Sequence, residues 1–276
     1  MNIARIQKYQ IIGSSCRGEV KMVNKYEAPS VNKAAGILKL LSRYKYSSSS
    51  LGEISSALSI NKSTCLRILK SLEEEKFVSY NPRTKQYSLG SYLVVLGSRA
   101  HEMTKYLNLS KLFLERLVQM TSLTAVLIDR VTDDRLIYIS KEEPNGNHRV
   151  NVSIGNQFPL TEVSYGMWFL AYMEEEERSL FLSKGLRKVT PHTIIEKDQY
   201  LLKLKKGKEC GYIVSVEEYA KGVIAISSPI FNNKGEVGLV IGCLGFSSMA
   251  KSEIEKAAKV VKETASEFNQ MYQYNN

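Results

Sequence analysis

Lys62, Ser63, Thr64 and Arg67 fall within the first two turns of one segment, INKSTCLRILKSLEEEKFV, running from Ile60 to Val78. At that spacing an ammonium, two hydroxyls and a guanidinium share the end of a helix where backbone N–H groups are also free. Such a set can neutralise a phosphate and reach the base edges beside it, whereas a helix needed only for packing has no use for it. Arg67 suits a bidentate contact with guanine, and Ser63 and Thr64 suit base edges. Lys62 suits phosphate, as does Lys70 one turn further on.

The flanking sequence holds the elements that would present this cluster. VNKAAGILKLLSRY, from Val31, has apolar residues at Val31, Ala34, Ile37, Leu38 and Leu41, the spacing of an amphipathic helix. The serines Ser47 to Ser50 break it, and Ser50 with Glu53 makes a capping box for a second helix ending near Leu58. Ser59, Ile60 and Asn61 form a short turn, with Asn61 as N-cap of the third helix. On that helix Cys65, Ile68, Leu69 and Leu72 share one face, and Ser63, Arg67, Lys70 and Glu74 share the other. FVSY and QYSL then read as a hairpin around NPRTK, with Arg83 and Lys85 at its tip, suited to the adjacent backbone or minor groove. Helix, helix, turn, helix, basic hairpin is the order of a winged helix-turn-helix.

Charge agrees with this placement. The formal net charge is +10, and residues 1–105 hold 17 Lys and Arg against 7 Asp and Glu, while residues 106–276 hold 21 of each. The basic front suits a polyanion. On charge alone, a solvated basic surface without a partner explains the excess equally well. Residues 1–27 show no sustained periodicity and read as a loosely ordered basic leader, with Met22 just before the first organised segment. No apolar stretch follows Arg5 and Lys8, so a signal peptide is not expected, and the expected location is cytoplasmic.

After a connecting helix over GSYLVVLGSRAHEM and another over about Leu109 to Met120, strands and helices alternate. TAVLIDRV and RLIYISKEE flank an Asp133-Asp134 turn, and VNVSI reads as a third strand. Helices are expected around Val163 to Tyr172, Glu174 to Ser183 and Lys197 to Glu209. GYIVSVEEY, GVIAISSPIF and EVGLVIGCLGF supply three more strands, the last two joined at NNKG, and a long helix from about Met249 to Tyr272 closes the chain. An antiparallel sheet with helices against it packs this order, giving an α+β chain.

Enzyme and metal motifs are missing. His101, His148 and His192 have no serine, cysteine or carboxylate at a recognisable spacing. Glu174 to Glu177 begin a helix, where its dipole favours negative charge. Cys16, Cys65, Cys210 and Cys243 form no cluster and read as small apolar fillers in a reducing compartment. Trp168 reads as core. No catalytic residue, metal or cofactor is expected.

SVNKAAGILKLL, LGEISSALSINKSTCLRILKSLEEEKFVSYNPRTKQYSLG, GNQFPLTEVSYG and GYIVSVEEYAKGVIAISSPIFNNKGEVGLVIGCLGF together resemble the IclR-type transcription regulators, from about Ala28 to the end. The resemblance implies a winged helix-turn-helix over 28–90, a linker helix over 91–106 and a GAF-like effector-binding and oligomerisation domain over 107–276. It further implies dimers or tetramers on double-stranded operator DNA, with small organic or aromatic acids as ligands. Leu66 stands where the family often has His or Tyr, and can meet a thymine methyl.

Carried over position by position, the effector site falls on Thr161, Ser164, Tyr165, Ser215, Ala225, Gly242 and Leu244. In the family a ligand carboxylate meets backbone N–H groups matching Ser164 and Tyr165. The usual loop His matches Thr161, an acidic residue Ser215, a cysteine Ala225, two serines Gly242 and Leu244, and a Lys Met167. Most polar side chains of the pocket are thereby replaced. A two- or three-carbon acid is not expected to bind there, and Glu162 would repel a second carboxylate. A larger, mainly apolar or aromatic ligand and a self-filled pocket remain as readings. Two other functions also stay open: an architectural DNA-binding protein without a ligand, and a small-ligand enzyme with an appended basic domain.

Overall fold

A computed structural model describes residues 9–11, 22–24, 28–147 and 149–275. The chain divides into two compact units, Met1–Arg99 and Ala100–Asn276. No helix among the described residues is long and apolar enough to cross a membrane.

In the first unit, Tyr9–Ile11 (β1) and Met22–Asn24 (β2) pair antiparallel. The rest of the expected leader lies outside the described residues. Pro29–Leu41 (α1) opens on a proline, whose missing N–H costs nothing at a first helical position. Ser49–Ser50 (β3) leads into Leu51–Leu58 (α2) through the expected capping box: the Ser50 hydroxyl accepts from the Glu53 N–H, and the Ser50 N–H donates to Glu53 Oε2 at 2.7 Å. Ser59 turns the chain in the left-handed region at φ 53°. The Ser55 hydroxyl, buried, donates to the Ile60 carbonyl at 2.6 Å and braces that turn. Lys62–Glu74 (α3) follows. Val78–Asn81 (β4) and Gln86–Leu89 (β5) form the hairpin, and β3 joins it in the order β3-β5-β4. Ile37, Leu41, Ile54, Cys65, Leu69 and Val78 close one core beneath the three helices.

Tyr92–Met103 (α4) follows, and its residues span the boundary between the units. Lys105–Thr121 (α5) begins four residues before the expected start at Leu109. The second unit is built on Thr124–Thr132 (β6), Arg135–Glu142 (β7), Gln157–Pro159 (β8), Ile213–Val216 (β9), Val223–Phe231 (β10) and Val237–Phe246 (β11). They form one antiparallel sheet in the order β8-β7-β6-β11-β10-β9. One face packs on α5 and the closing helix Lys251–Asn275 (α9), with Leu117, Leu127, Ile241 and Phe268 between them. Ser164–Ala171 (α6) and Lys197–Cys210 (α8) cover the other, around Val126, Trp168, Leu204 and Val240. Glu175–Ser183 (α7) contributes Leu182 to that side.

Two expectations are corrected. VNVSI is not a strand; the third strand is β8, beyond it. Val150 and Val152 do turn toward the core, and their alternation imitates a strand. Their carbonyls, however, accept from side chains, the Thr124 hydroxyl and the Lys141 ammonium, each at 2.7 Å, instead of from a neighbouring strand. Cys210 is exposed and fills nothing, whereas Cys65 and Cys243 are buried as expected. Burial pushes the Cys243 thiol up to about 12. Cys16 lies outside the described residues.

Candidate nucleic-acid interface and effector pocket

Asn61 fixes the start of α3. Its side chain accepts from the Thr64 N–H at 2.8 Å and from the Ser63 hydroxyl at 3.0 Å. The cap leaves the Lys62 and Ser63 N–H groups without a hydrogen bond among the described residues. These two point along the helix axis, where the dipole also favours an anion. Cys65, Leu69 and Leu72 hold the opposite face in the core, so Lys62, Ser63, Arg67 and Lys70 are exposed and Thr64 is half-buried. Leu66, 39% exposed, lies in the middle of this outward face.

These side chains are not equally available. Lys62 and Arg67 have no partner among the described residues. Lys70 donates to Glu73 Oε2 at 2.7 Å and lies 5.4 Å from the Tyr80 ring centroid, and the Glu73 hydrogen bond raises its pKa. The Ser63 hydroxyl is held by Asn61, which leaves its lone pairs free. On the wing, Asn81 Oδ1 accepts from the N–H groups of Arg83 and Thr84, and Lys85 sits at φ 55°, so both basic side chains project from the turn.

In the second unit Ser164, Tyr165, Ser215, Ala225 and Leu244 line one cavity. Thr161 and Gly242 do not; Gly242 lies opposite Ser227 in the β10–β11 register. Tyr138, Glu218 and Tyr219 also line it, with Val163, Ala220 and Val223, and none of these six was assigned to the site from sequence. The Glu217–Glu218 backbone is tied down by the Thr190 and Thr193 hydroxyls, each donating at 2.6 Å. Glu218 pairs with Lys203, and Glu162 with Arg187 at 2.7 Å. The repulsion expected from Glu162 is thereby offset.

The cavity is only about 40 Å³, against roughly 300 Å³ for an ordinary small-ligand pocket and enough for no more than a few waters. Aromatic side chains fill the rest. Tyr219 packs on Phe158 at 5.5 Å, Phe158 on Tyr138 at 4.8 Å, and Tyr138 on Tyr165 at 6.0 Å between ring centroids. Burial pushes the Tyr138 hydroxyl up to about 12 and that of Tyr165 well above its usual value. The Tyr165 hydroxyl is buried with no geometrically sound hydrogen bond. Deeper on the same side, Trp168 Nε1 donates to the Ser227 hydroxyl at 3.0 Å, tying α6 to the sheet.

Among the described residues no three His, Cys, Asp or Glu side chains gather where they could hold a metal ion. His101 is exposed on α4, His192 is an exposed neighbour of Glu217 at 3.6 Å, and His148 lies outside the described residues.

Two family models match the chain: the IclR helix-turn-helix domain over residues 30–82, and the bacterial transcriptional regulator IclR C-terminal domain over residues 101–270. The HTH-type transcriptional repressor AllR of Salmonella typhi is 26% identical over 254 residues, 91% of this chain and 93% of the relative. The AllR repressor of Escherichia coli K12 is 27% identical over 250 residues, 90% of this chain and 92% of its own length. Among solved structures, an IclR transcriptional regulator from Alicyclobacillus acidocaldarius superposes with a TM-score of 0.85 at 42% identity, covering 89% of this chain and 99% of that one. An IclR homologue from Microbacterium hydrocarbonoxydans, complexed with 4-hydroxybenzoate, shares the fold with a TM-score of 0.76 at 16% identity, covering 89% and 99%. With an exposed basic helix-turn-helix in front and a helix-covered antiparallel sheet behind, matched over most of their length, the chain belongs to the IclR family of bacterial transcriptional regulators.

Proposed function

We infer that this regulator binds operator DNA as a homo-oligomer, with α3 in the major groove and the β4–β5 wing on the adjacent backbone. Lys62 and Arg67, without a partner among the described residues on the capped start of α3, carry the reading. Arg67 is the base reader and Lys62, Lys70, Arg83 and Lys85 hold phosphate, while Ser63 and Thr64 flank the base contact and Leu66 offers an apolar contact to a thymine methyl. Assembly is supported by α4, which buries none of its residues and leaves Val94 and Met103 73% and 81% exposed. Large apolar side chains grouped on one exposed helix suit a self-association surface. A protein that reads the bacterial chromosome in this way works in the cytoplasm.

For the second unit the hydroxybenzoate-bound relative supports a small, mainly apolar or aromatic effector, while the filled cavity supports a self-filled pocket at the carried-over residues, so such an effector needs a site outside it. Ser164, Tyr165, Ser215, Ala225 and Leu244 do not present a site for a two- or three-carbon acid. Ser215 offers one hydroxyl, Ala225 and Leu244 offer none, and the volume is already filled.

Binding to a duplex carrying the gene's own upstream region, compared with a random duplex at one fixed salt concentration, tests the regulator reading. The expected specific affinity is about a thousandfold or more above the random one. Equal affinities would instead indicate an architectural DNA-binding protein.

A further inference from the structure

A second cavity lies across β11 from the filled pocket. Its volume is about 550 Å³, within the range of roughly 300–1,000 Å³ that small-ligand sites occupy. The end of α5 and the start of β6 form one wall, and the first turns of α9 form the other. The strand end at Leu244, Gly245 and Phe246 forms the floor. Leu244 lines both cavities, with its side chain buried.

The floor depends on Gly245. A Cβ there would lie 2.8 Å from the Leu123 side chain and 2.9 Å from Met249 Sδ. Apolar groups make up the body of the lining, chiefly Met120, Leu123, Met249 and Val260. Two of these are methionines, whose unbranched side chains adapt to an irregular guest.

The charged lining is unequal. Arg149 and Lys256 are there with a single carboxylate, Glu253. Glu253 already accepts from the Ala250 N–H at 2.9 Å, and Arg149 is partly held by Glu143 at 3.2 Å. Lys256 makes no ion pair among the described residues, and the hydroxyls of Ser122 and Ser248 have no partner either. An ammonium and two hydroxyls bordering an apolar cleft are the donor set for one carboxylate on an apolar body.

We propose that this cleft binds an organic monoacid with an apolar or aromatic body, its carboxylate on Lys256 with Ser122 and Ser248, and its body against Met120, Leu123, Met249 and Val260. A dianion has only Arg149, already shared with Glu143, to receive its second charge. Binding needs nothing from the regulator reading; that the occupant acts as an effector rests on it.

Phenylacetate, 2-phenylethanol and glyoxylate, titrated into the full chain carrying 13C-methyl methionine, separate the contributions. Phenylacetate should shift the methyl signals of Met120 and Met249 saturably and leave Met167, on α6, in place. The alcohol lacks the charge and glyoxylate lacks the body, so each should bind at least about tenfold more weakly. Lys256→Gln, on an exposed position, should weaken phenylacetate by about tenfold or more. Met120→Trp should block it, since Met120 is 53% exposed and tolerates a larger side chain into the cleft. Lys259→Gln, exposed on the same helix outside the cleft, is expected to change nothing. Shifts confined to Met167, equal binding of acid and alcohol, or an unaffected Lys256→Gln would overturn the proposal. So would self-association of the chain that Met120→Trp abolishes while no probe binds. Failure of the unliganded chain to prefer its own upstream DNA would sink the regulator reading and leave the cleft result standing.

Discussion

Arg67→Ala should weaken operator binding by about 1–3 kcal/mol and leave binding to random duplex nearly unchanged. Arg67 is exposed on the outward face of α3 with no acidic partner among the described residues, so its guanidinium enters the complex unencumbered. A planar fork meeting guanine O6 and N7 loses both hydrogen bonds together on truncation, and random sequence seldom presents that pair in register. Lys85→Ala should behave differently. From the wing tip it offers a point charge, so its loss should weaken both duplexes alike and lower the salt slope by about one unit. Fluorescence anisotropy over a salt series reads both quantities. Equal losses on the two duplexes for Arg67→Ala would place its guanidinium on phosphate instead.

The second large effect is on stability. Gly166→Ala should destabilise the second unit by about 4 kcal/mol or more, in the range reached only by severe core disruptions. An added Cβ would stand 1.7 Å from the Leu160 carbonyl oxygen and 2.7 Å from its carbon. Both are backbone atoms, so no rotamer change relieves the clash and α6 must shift. All eight α6 residues are buried, and the Trp168–Ser227 hydrogen bond would be strained with them. Trp168 is the single tryptophan of the chain, so its fluorescence during urea unfolding follows this unit directly. A midpoint within the error of the parent chain would mean that the Pro159–Leu160 turn yields freely.

The DNA-binding unit was legible because its signals are local. The Ser50–Glu53 capping box, the Asn61 cap and the Asn81 turn each act within three residues, and each is present. The partners of Lys70 were less visible: Glu73 is on the same helix, yet Tyr80 arrives from the next strand. VNVSI misled because alternation records which side chains are buried, while a strand also needs a backbone partner. There, Thr124 and Lys141 took that role.

The filled cavity of the second unit shows the same division. That Ser215, Ala225 and Leu244 bring only one side-chain hydroxyl to it is visible in the sequence. Its filling is not, because Tyr138, Phe158 and Tyr219 come from separated segments and meet only when β7, β8 and the turn after β9 assemble. Period-two alternation with Leu136 did place Tyr138 on the inner face of β7, and that was the available signal. The larger cleft left no trace in sequence, since Met120, Leu244 and Lys256 belong to three distant elements.

Hydroxyl-radical footprinting of the full chain on the DNA upstream of its own gene tests the central claim most directly. An oligomer that docks α3 in successive major grooves should protect paired half-sites about one helical turn, roughly 34 Å, or a multiple of it apart. Lys62→Ala with Arg67→Ala should erase both half-sites together. Continuous protection along the fragment, or a pattern of half-sites that survives the double substitution, would contradict recognition through α3.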